Sequence, residues 1–385
     1  MAPNRIIIDT DPGVDDVLAM LLAFSAKPEE LEVLMLSVTF GNVEVQNCLR
    51  NIVTLFHYIE KERAWRRENG RPEGFEGLAK RKPIVAVGAE EPLAEHMMVA
   101  DFFPETWKSL FKPTPEPLSA EEAAELQAVK DTHSLFTPSS KPAHEEMLQL
   151  LRENEPDTIT IVAIGPLTNL AIAAASDPEA FLRVKEVVVM GGAVNWPGNP
   201  PDLSLLSSPS ITSIPVPAFN LIKQPNTPLR RQLNERNQMT PGAEFNTYAD
   251  SVAAARVYAL TSPNPKTTMP PIVGKKGLKP YPENLSRQLK VKLFPLDITE
   301  QHLMPRKLFD AHIEADALKG SPLTEWAELF LSSTFRKIAS LDTHLDPATI
   351  GLQLHDPLTV WYCMASSDPL WKYVTEDLRV GSHAV

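Results

Sequence analysis

The sequence predicts an α/β protein, a Rossmann-like open sheet of mainly parallel strands with helices on both faces. Three observations support this. Short runs such as Ile6-Ile7-Ile8 are apolar at every position, which marks strands buried on both faces rather than the alternation of a half-exposed sheet. Each run leads into a segment with helical spacing, and repeated βα units imply parallel crossovers. Between the first strand and first helix lies Asp9-Thr10-Asp11-Pro12-Gly13-Val14-Asp15-Asp16, at the carboxyl end of a strand, where open α/β sheets bind ligands.

In chain order, Ile6 to Ile8 reads as the first strand, Pro12-Gly13 as a turn, and Val17 to Phe24 as the core face of the first helix. Leu31 to Phe40 follows as a strand ending at Gly41-Asn42, then Val43 to Glu60 as a helix with Val45, Leu49, Val53 and Phe56 on its apolar face. Pro83 to Gly88, Thr158 to Ile164 and Val184 to Gly191 read as strands, and Ala143 to Glu153 and Leu167 to Ala175 as helices. The stretch from Pro200 to Gln238 has no period and is rich in Ser, Pro, Asn and Leu, so it reads as an irregular surface insertion. Patterning resumes at Ala243 to Leu260, with a later strand at Val291 to Leu296 and helices at Leu323 to Ile338 and Pro357 to Met364.

Composition narrows the function. The 385 residues, 43% of them hydrophobic, suffice for a large core. A formal charge of −12 argues against a nucleic-acid or anionic-membrane partner, which would need clustered Lys and Arg. Two cysteines, Cys48 and Cys363, lie on apolar helical patterns and imply no disulfide scaffold. No signal-like region precedes Asp9 and no apolar stretch is long enough to span a bilayer, so a cytoplasmic location is expected.

Four carboxylates within eight residues repel one another unless a hard cation or shared protons compensate. The alternative is helix capping by Asp15 or Asp16, since acids are common at helix N-termini. One cap needs one acid, however, and capping leaves Asp9 and Asp11 unexplained. The motif therefore predicts an oxygen-ligand metal site.

Read together with Gly41-Asn42, Gly165-Pro166-Leu167-Thr168-Asn169, Met190-Gly191-Gly192, Ala243-Glu244-Phe245-Asn246 and His355-Asp356-Pro357, the chain resembles the nucleoside hydrolases, and within them the inosine-uridine-preferring branch. The resemblance implies one nucleoside hydrolase-like domain over residues 1–385, interrupted by an insertion at 200–238. It implies hydrolysis of the N-ribosidic bond of ribonucleosides, with Ca²⁺ as cofactor, a small nucleoside as substrate and a homo-oligomeric assembly.

Residue by residue, the resemblance makes Asp11 a metal ligand and the general base toward water, and Asp16 and Asp356 further ligands. The main-chain carbonyl of Ile164 completes the set. Asp15 and Asn42 match positions that hold ribose hydroxyls; Asn199, Glu244 and Asn246 match others around the ribose, with Met190 packing nearby and Phe245 near sugar or base. Asn237 is the alternative for the place of Asn199. His355 is the candidate acid that protonates the departing base, because imidazole titrates near neutral pH; read alone, a His opening an apolar helix is equally a satisfied core residue.

The chain departs from the family in three places. A Gly-rich loop common near the base pocket is not found between Leu93 and Trp107, where Phe103 runs into Pro104. The insertion separates Asn199 from Glu244. The terminal element begun at Val374 to Val380 stops at Val385. Two other readings compete: a homologue that binds metal and ribose without turnover, and a Mg²⁺-dependent phosphatase using Asp9 and Asp11 as nucleophile and acid.

Overall fold

The computed structural model describes residues 3–94, 135–194, 244–268, 278–313, 319–341, 350–369 and 371–374. The expected insertion at 200–238, Asn199, Asn237, most of the Leu93 to Trp107 segment and nearly all of Val374 to Val380 lie outside them.

Seven strands form one all-parallel sheet: β1 (Asn4–Thr10), β2 (Leu31–Val38), β3 (Ile84–Val87), β4 (Thr137–Pro138), β5 (Ile159–Ala163), β6 (Glu186–Met190) and β7 (Val291–Phe294), in the order β4-β3-β2-β1-β5-β6-β7. The uninterrupted apolar runs are explained by what covers them. Ile6 and Ile8 pack into one core layer with Val17, Met20, Ile52 and Leu55, while Ile7 packs into the opposite layer with Met147, Leu151, Leu170 and Val257. A strand between two helical layers has no polar face to show.

The helices on the first side are α1 (Val14–Ser25) and α2 (Val45–Glu68). A short α3 (Glu76–Lys80) follows, and α4 (Ala143–Glu153), α5 (Thr168–Ser176) and α6 (Pro178–Phe181) come later. The segment expected at Ala243 to Leu260 is two helices, α7 (Phe245–Ala249) and α8 (Ser251–Ala259), divided at Asp250, whose carboxylate caps α8 through Ala253 N. Beyond β7 come α9 (Leu296–Thr299), a two-stranded antiparallel ribbon of β8 (Leu303–Pro305) and β9 (Gly351–Gln353), α10 (Arg306–Ile313), α11 (Pro322–Leu341) and α12 (His355–Ala365).

Several predicted boundaries move. Helix α1 starts at Val14, not Val17, so Asp15 and Asp16 lie inside its first turn rather than ahead of it. Strand β2 ends at Val38 rather than Phe40, because Thr39 to Gly41 turn into the site. Helix α2 continues eight residues past the expected Glu60, to Glu68, as a mostly polar extension of about two turns that offers no apolar period to read. Helix α12 opens at His355 rather than Pro357, since proline is tolerated in a first turn.

Strand order reverses between β1 and β5: the chain leaves β1 toward β2, and β5 adds on the other side of β1. At such a switch point the loops leaving neighbouring strands diverge and open a crevice at their carboxyl ends. The Asp9 to Asp16 segment leaves β1 there, and Ile164-Gly165-Pro166 leaves β5 beside it. Helix α12 packs along α1, with Asn4 Nδ2 donating to Cys363 O at 2.8 Å, so the last described helix returns to the first strand.

Candidate active site

The crevice at the β1/β5 switch point collects the acids. Asp15, Asp16 and Asp356 each offer a carboxylate oxygen, all within 4.8 Å of one another. Asp11, Asp16 and Asp356 are buried and Asp15 is half-buried, which makes Asp15 the acid of this group most open to a ligand.

Neighbouring donors orient each carboxylate. Asp16 Oδ1 accepts from Thr10 Oγ1 at 2.6 Å, and Oδ2 accepts from Gly13 N at 2.9 Å and Asn42 Nδ2 at 3.0 Å. The bond from Gly13 N is the helix-capping interaction that an acid here was expected to offer. It occupies one acid and leaves the others to be accounted for. Asp11 Oδ2 accepts from Asn42 N at 2.6 Å, whereas Asp11 Oδ1 is buried without a hydrogen-bonding partner.

Glycines on both sides allow this closeness. A Cβ at Gly41 would lie 2.1 Å from Asp11 Oδ2, and one at Gly165 would lie 2.6 Å from Asp11 Oδ1. Asn51 Nδ2 donates to Pro12 O at 2.9 Å and so pins the turn between the acids to α2.

Electrostatics agree with a group of charges in want of compensation. Burial raises Asp11 and Asp356 well above the ordinary carboxylate range, and nearby acids raise them further. Burial brings Asp15 up to about 6, and burial together with the Asp15 charge brings Asp16 up to about 7. The converging group is Asp15, Asp16 and Asp356, and Asp11, expected as a ligand, lies outside it beside Asp16 with one orphaned oxygen; an all-oxygen set of this kind fits a hard divalent cation. It is unsuited to a soft metal, because no thiolate or imidazole joins the cluster among the described residues.

Just past β5, the Ile164 carbonyl, expected as a ligand, accepts from Asn246 Nδ2 at 3.0 Å. The same amide reaches Met190 O at 3.3 Å and Met190 Sδ at 3.5 Å. Asn246 therefore joins the ends of β5 and β6 to α7. Glu244 caps α7: its Oε1 accepts from Asn246 N at 2.6 Å, and its Oε2 accepts from Thr247 N and Gly192 N, both at 2.8 Å. Phe245 is partly buried beside them. Hydrogen bonds thus bring Glu244, Asn246 and Met190 together beside Ile164; the place of Asn199 lies outside the described residues.

His355, the first residue of α12, is partly buried, with Nδ1 2.8 Å from Thr299 Oγ1. Burial lowers its affinity for a proton, while the charges of Glu300 and Glu244 oppose the shift. Asp356 follows it on α12 and reaches the acids of α1, so the two neighbours have different partners.

A further network lies beneath the acids, joining Asp9 to Ser37 and to Asn169, neither of which the sequence reading gives a role at the site. Asn169 Nδ2 donates to Asp9 Oδ1 at 2.9 Å, Ser37 Oγ at 3.1 Å and Val38 O at 3.2 Å, while its Oδ1 accepts from Ala89 N at 2.7 Å. Ser37 also donates to Asp9. Asp9 is fully buried, and desolvation brings it to about 7 against the lowering effect of Ser37 and Asn169. A polar residue inside the Leu-Ala face of α5 is the signal that points to Asn169.

The chain matches the inosine-uridine preferring nucleoside hydrolase family over residues 6–383. It belongs to that family, whose members are ribonucleoside N-glycosidases. An uncharacterized protein of Schizosaccharomyces pombe is 27% identical over 367 residues, 94% of this chain and 80% of that protein. Uridine nucleosidase 1 of Arabidopsis thaliana is 34% identical over 200 residues, and the match spans 51% of this chain and 47% of the plant protein. A pyrimidine-specific ribonucleoside hydrolase of Klebsiella pneumoniae is 32% identical over 194 residues, with 50% of each chain matched. Among solved structures, a plant nucleoside hydrolase superposes with a TM-score of 0.56 at 22% identity, covering 95% of this chain and 80% of that one. An inosine-guanosine nucleoside hydrolase gives 0.56 at 20%, covering 96% and 82%. These likenesses establish the α/β fold. Among the described residues, no helix is long and apolar enough to cross a membrane.

Proposed function

We propose that this chain hydrolyses ribonucleosides to free base and ribose, using Ca²⁺ in the crevice at the β1/β5 switch point. The observation that carries the reading is the convergence of Asp15 and Asp16 from one end of the chain with Asp356 from the other, with Asp11 beside Asp16 keeping one carboxylate oxygen buried and without a hydrogen-bonding partner. Asp11, Asp16, Asp356 and the carbonyl of Ile164 would hold the cation. When bound, it would acidify a water and offer open positions to two ribose hydroxyls.

Asp15, half-buried, and Asn42, whose amide nitrogen is spent on Asp16 and Asp11 O, would accept from the ribose hydroxyls. Glu244 and Asn246 flank the sugar, Met190 packs against Asn246, and Phe245 faces sugar or base; Asn199 is assigned with them by family resemblance alone. Asp11 accepts a proton from water as the water oxygen bonds to C1′. The C1′–N bond breaks, its electron pair leaves with the base, and His355 supplies the base with a proton. The carboxylates also face a ribose that carries positive charge at the transition state.

The Mg²⁺ phosphatase reading fits less well, because its nucleophile, Asp9, is fully buried and bonded to Ser37 and Asn169. The test is a panel of purine and pyrimidine nucleosides and a phosphate monoester, assayed for free base, ribose and phosphate with and without chelator. Calcium titration by calorimetry accompanies it. Release of base and ribose that stops on chelation supports the reading. Calcium and ribose binding without turnover would favour the impaired homologue, and phosphate release would favour the phosphatase.

A further inference from the structure

We propose that Thr299 is a positioning residue for His355, holding the proton on Nδ1 so that Nε2 is the nitrogen that serves the substrate. The proposal rests on the reading of His355 as the group that protonates the departing base. Its starting observation is the 2.8 Å contact between Thr299 Oγ1 and His355 Nδ1.

The two residues belong to different elements held at a fixed separation. Thr299 ends α9 and is fully buried. Leu296 N anchors that helix to Gly192 O at 2.9 Å, and the amide of the same Gly192 donates to Glu244. On the other side Leu354 N donates to His302 O at 2.8 Å, and β8 pairs with β9 through Leu303 and Gln353. Main-chain bonds thus tie the residue just before His355 to the residues just after Thr299. A β-branched side chain on such a frame has little rotamer freedom, so its hydroxyl is a stationary partner for the ring.

The chemistry follows from the ring's two nitrogens. With Nδ1–H donating to Thr299 Oγ1, Nε2 is left for the substrate. In the transfer, the Nε2–H bond breaks and its electron pair stays on the ring. The proton joins the base nitrogen that carries the electron pair of the broken C1′–N bond. The ring ends neutral with Nδ1–H still held by Thr299, so no rotation is needed between the two states. Without that acceptor the neutral ring would populate both tautomers and turn about χ2.

Thr299→Val keeps the shape and deletes the hydroxyl, and Thr299→Ser restores it. On natural nucleosides Thr299→Val should lose roughly 10-fold or more in kcat, the scale of outer partners of a functional imidazole, with KM little changed. On a nitrophenyl riboside, which needs no proton at its leaving atom, it should stay within a few-fold of the parent, and Thr299→Ser should recover nucleoside activity. Placed in a His355→Ala background, Thr299→Val should add nothing. Equal losses on both substrates, or a further loss in that background, would overturn the proposal and make Thr299 a packing residue. A His355→Ala variant that itself loses equally on both substrates would overturn the acid role, and the Thr299 proposal with it. Nitrogen NMR of the imidazole provides a readout independent of turnover: the neutral ring of the parent should carry its proton on Nδ1, and a parent ring protonated on Nε2 would overturn the proposal.

Discussion

Asn42 donates its main-chain amide to Asp11 Oδ2 at 2.6 Å, while the other oxygen of the same carboxylate is buried with no hydrogen-bonding partner. A carboxyl group fixed on one side and unsatisfied on the other suits a cation or a proton, because a buried unpaired charge is costly. Asp11→Asn, which keeps the shape and removes the charge, should abolish calcium binding and reduce hydrolysis by about 1000-fold or more, the loss of a base and a ligand together. Its metal-free thermal midpoint should match or exceed that of the parent, since one charge is gone from a crowded set. Calorimetry and melting measured side by side decide this; parental calcium affinity in the variant would end the metal assignment.

The raised carboxylates make stability depend on pH in a defined direction. Asp9 and Asp16 stand at about 7 in the folded chain against 3.8 ordinarily, so between those values the folded state binds more protons than the unfolded one. Stability from these groups is complete below the ordinary value and is lost as pH rises through about 7. Chelated protein should therefore melt at a lower temperature at pH 8 than at pH 5.5, and saturating calcium should flatten that slope, adding about 2.7 kcal/mol at a hundredfold excess over Kd. A midpoint that rises with pH and ignores calcium would contradict this.

Gly165 faces the unsatisfied Asp11 oxygen, and a Cβ there would lie 2.6 Å from it. Gly165→Ala should displace the carboxylate and cost roughly 100-fold in kcat/KM, the usual effect of a misplaced reacting group, with the far-ultraviolet circular dichroism unchanged. Activity within twofold of the parent would show that the crevice has slack.

Asn169 binds the ends of β1, β2 and the segment after β3 to α5 with one amide. Asn169→Ala leaves several buried polar groups unsatisfied and should cost about 3 kcal/mol of stability. Denaturant unfolding measures it; a loss below 1 kcal/mol would mean that water takes over the amide's contacts.

His355→Ala should lose about 100-fold on natural nucleosides yet keep most activity on a nitrophenyl riboside, whereas Asp356→Ala should lose both. The parallel assay of the two variants shows whether adjacent residues divide the work between leaving group and water.

The sheet is legible in the sequence because strands covered on both faces have nothing polar to confuse the reading: Ile6-Ile7-Ile8 lies at its centre and Val187-Val188-Val189 one strand in from its edge, each packed into the core on both faces. Helix α4 runs from Ala143 to Glu153 as its periodicity predicts. The ribbon of β8 and β9 and helix α10 give no such signal, being short and largely half-exposed. In the crevice, charged residues declare themselves through mutual repulsion, so Asp11, Asp15 and Asp16 are readable from spacing alone. Thr10 and Thr299 are not, because a threonine is ordinary in any sequence and acquires meaning only from the carboxylate or imidazole that folding sets against it.

The return of α12 to β1 and α1 has a kinetic consequence. Contacts such as Asn4 to Cys363, 359 positions apart, are among the most non-local a chain can make and should form late in folding. Asp356 travels with that helix, so the proposed ligand set would be complete only after the last closure. A cation would then find little to bind in the folding transition state and should leave the folding rate unchanged while slowing unfolding. Calcium would act as a latch on the finished molecule, lengthening its lifetime against proteolysis without hastening its birth.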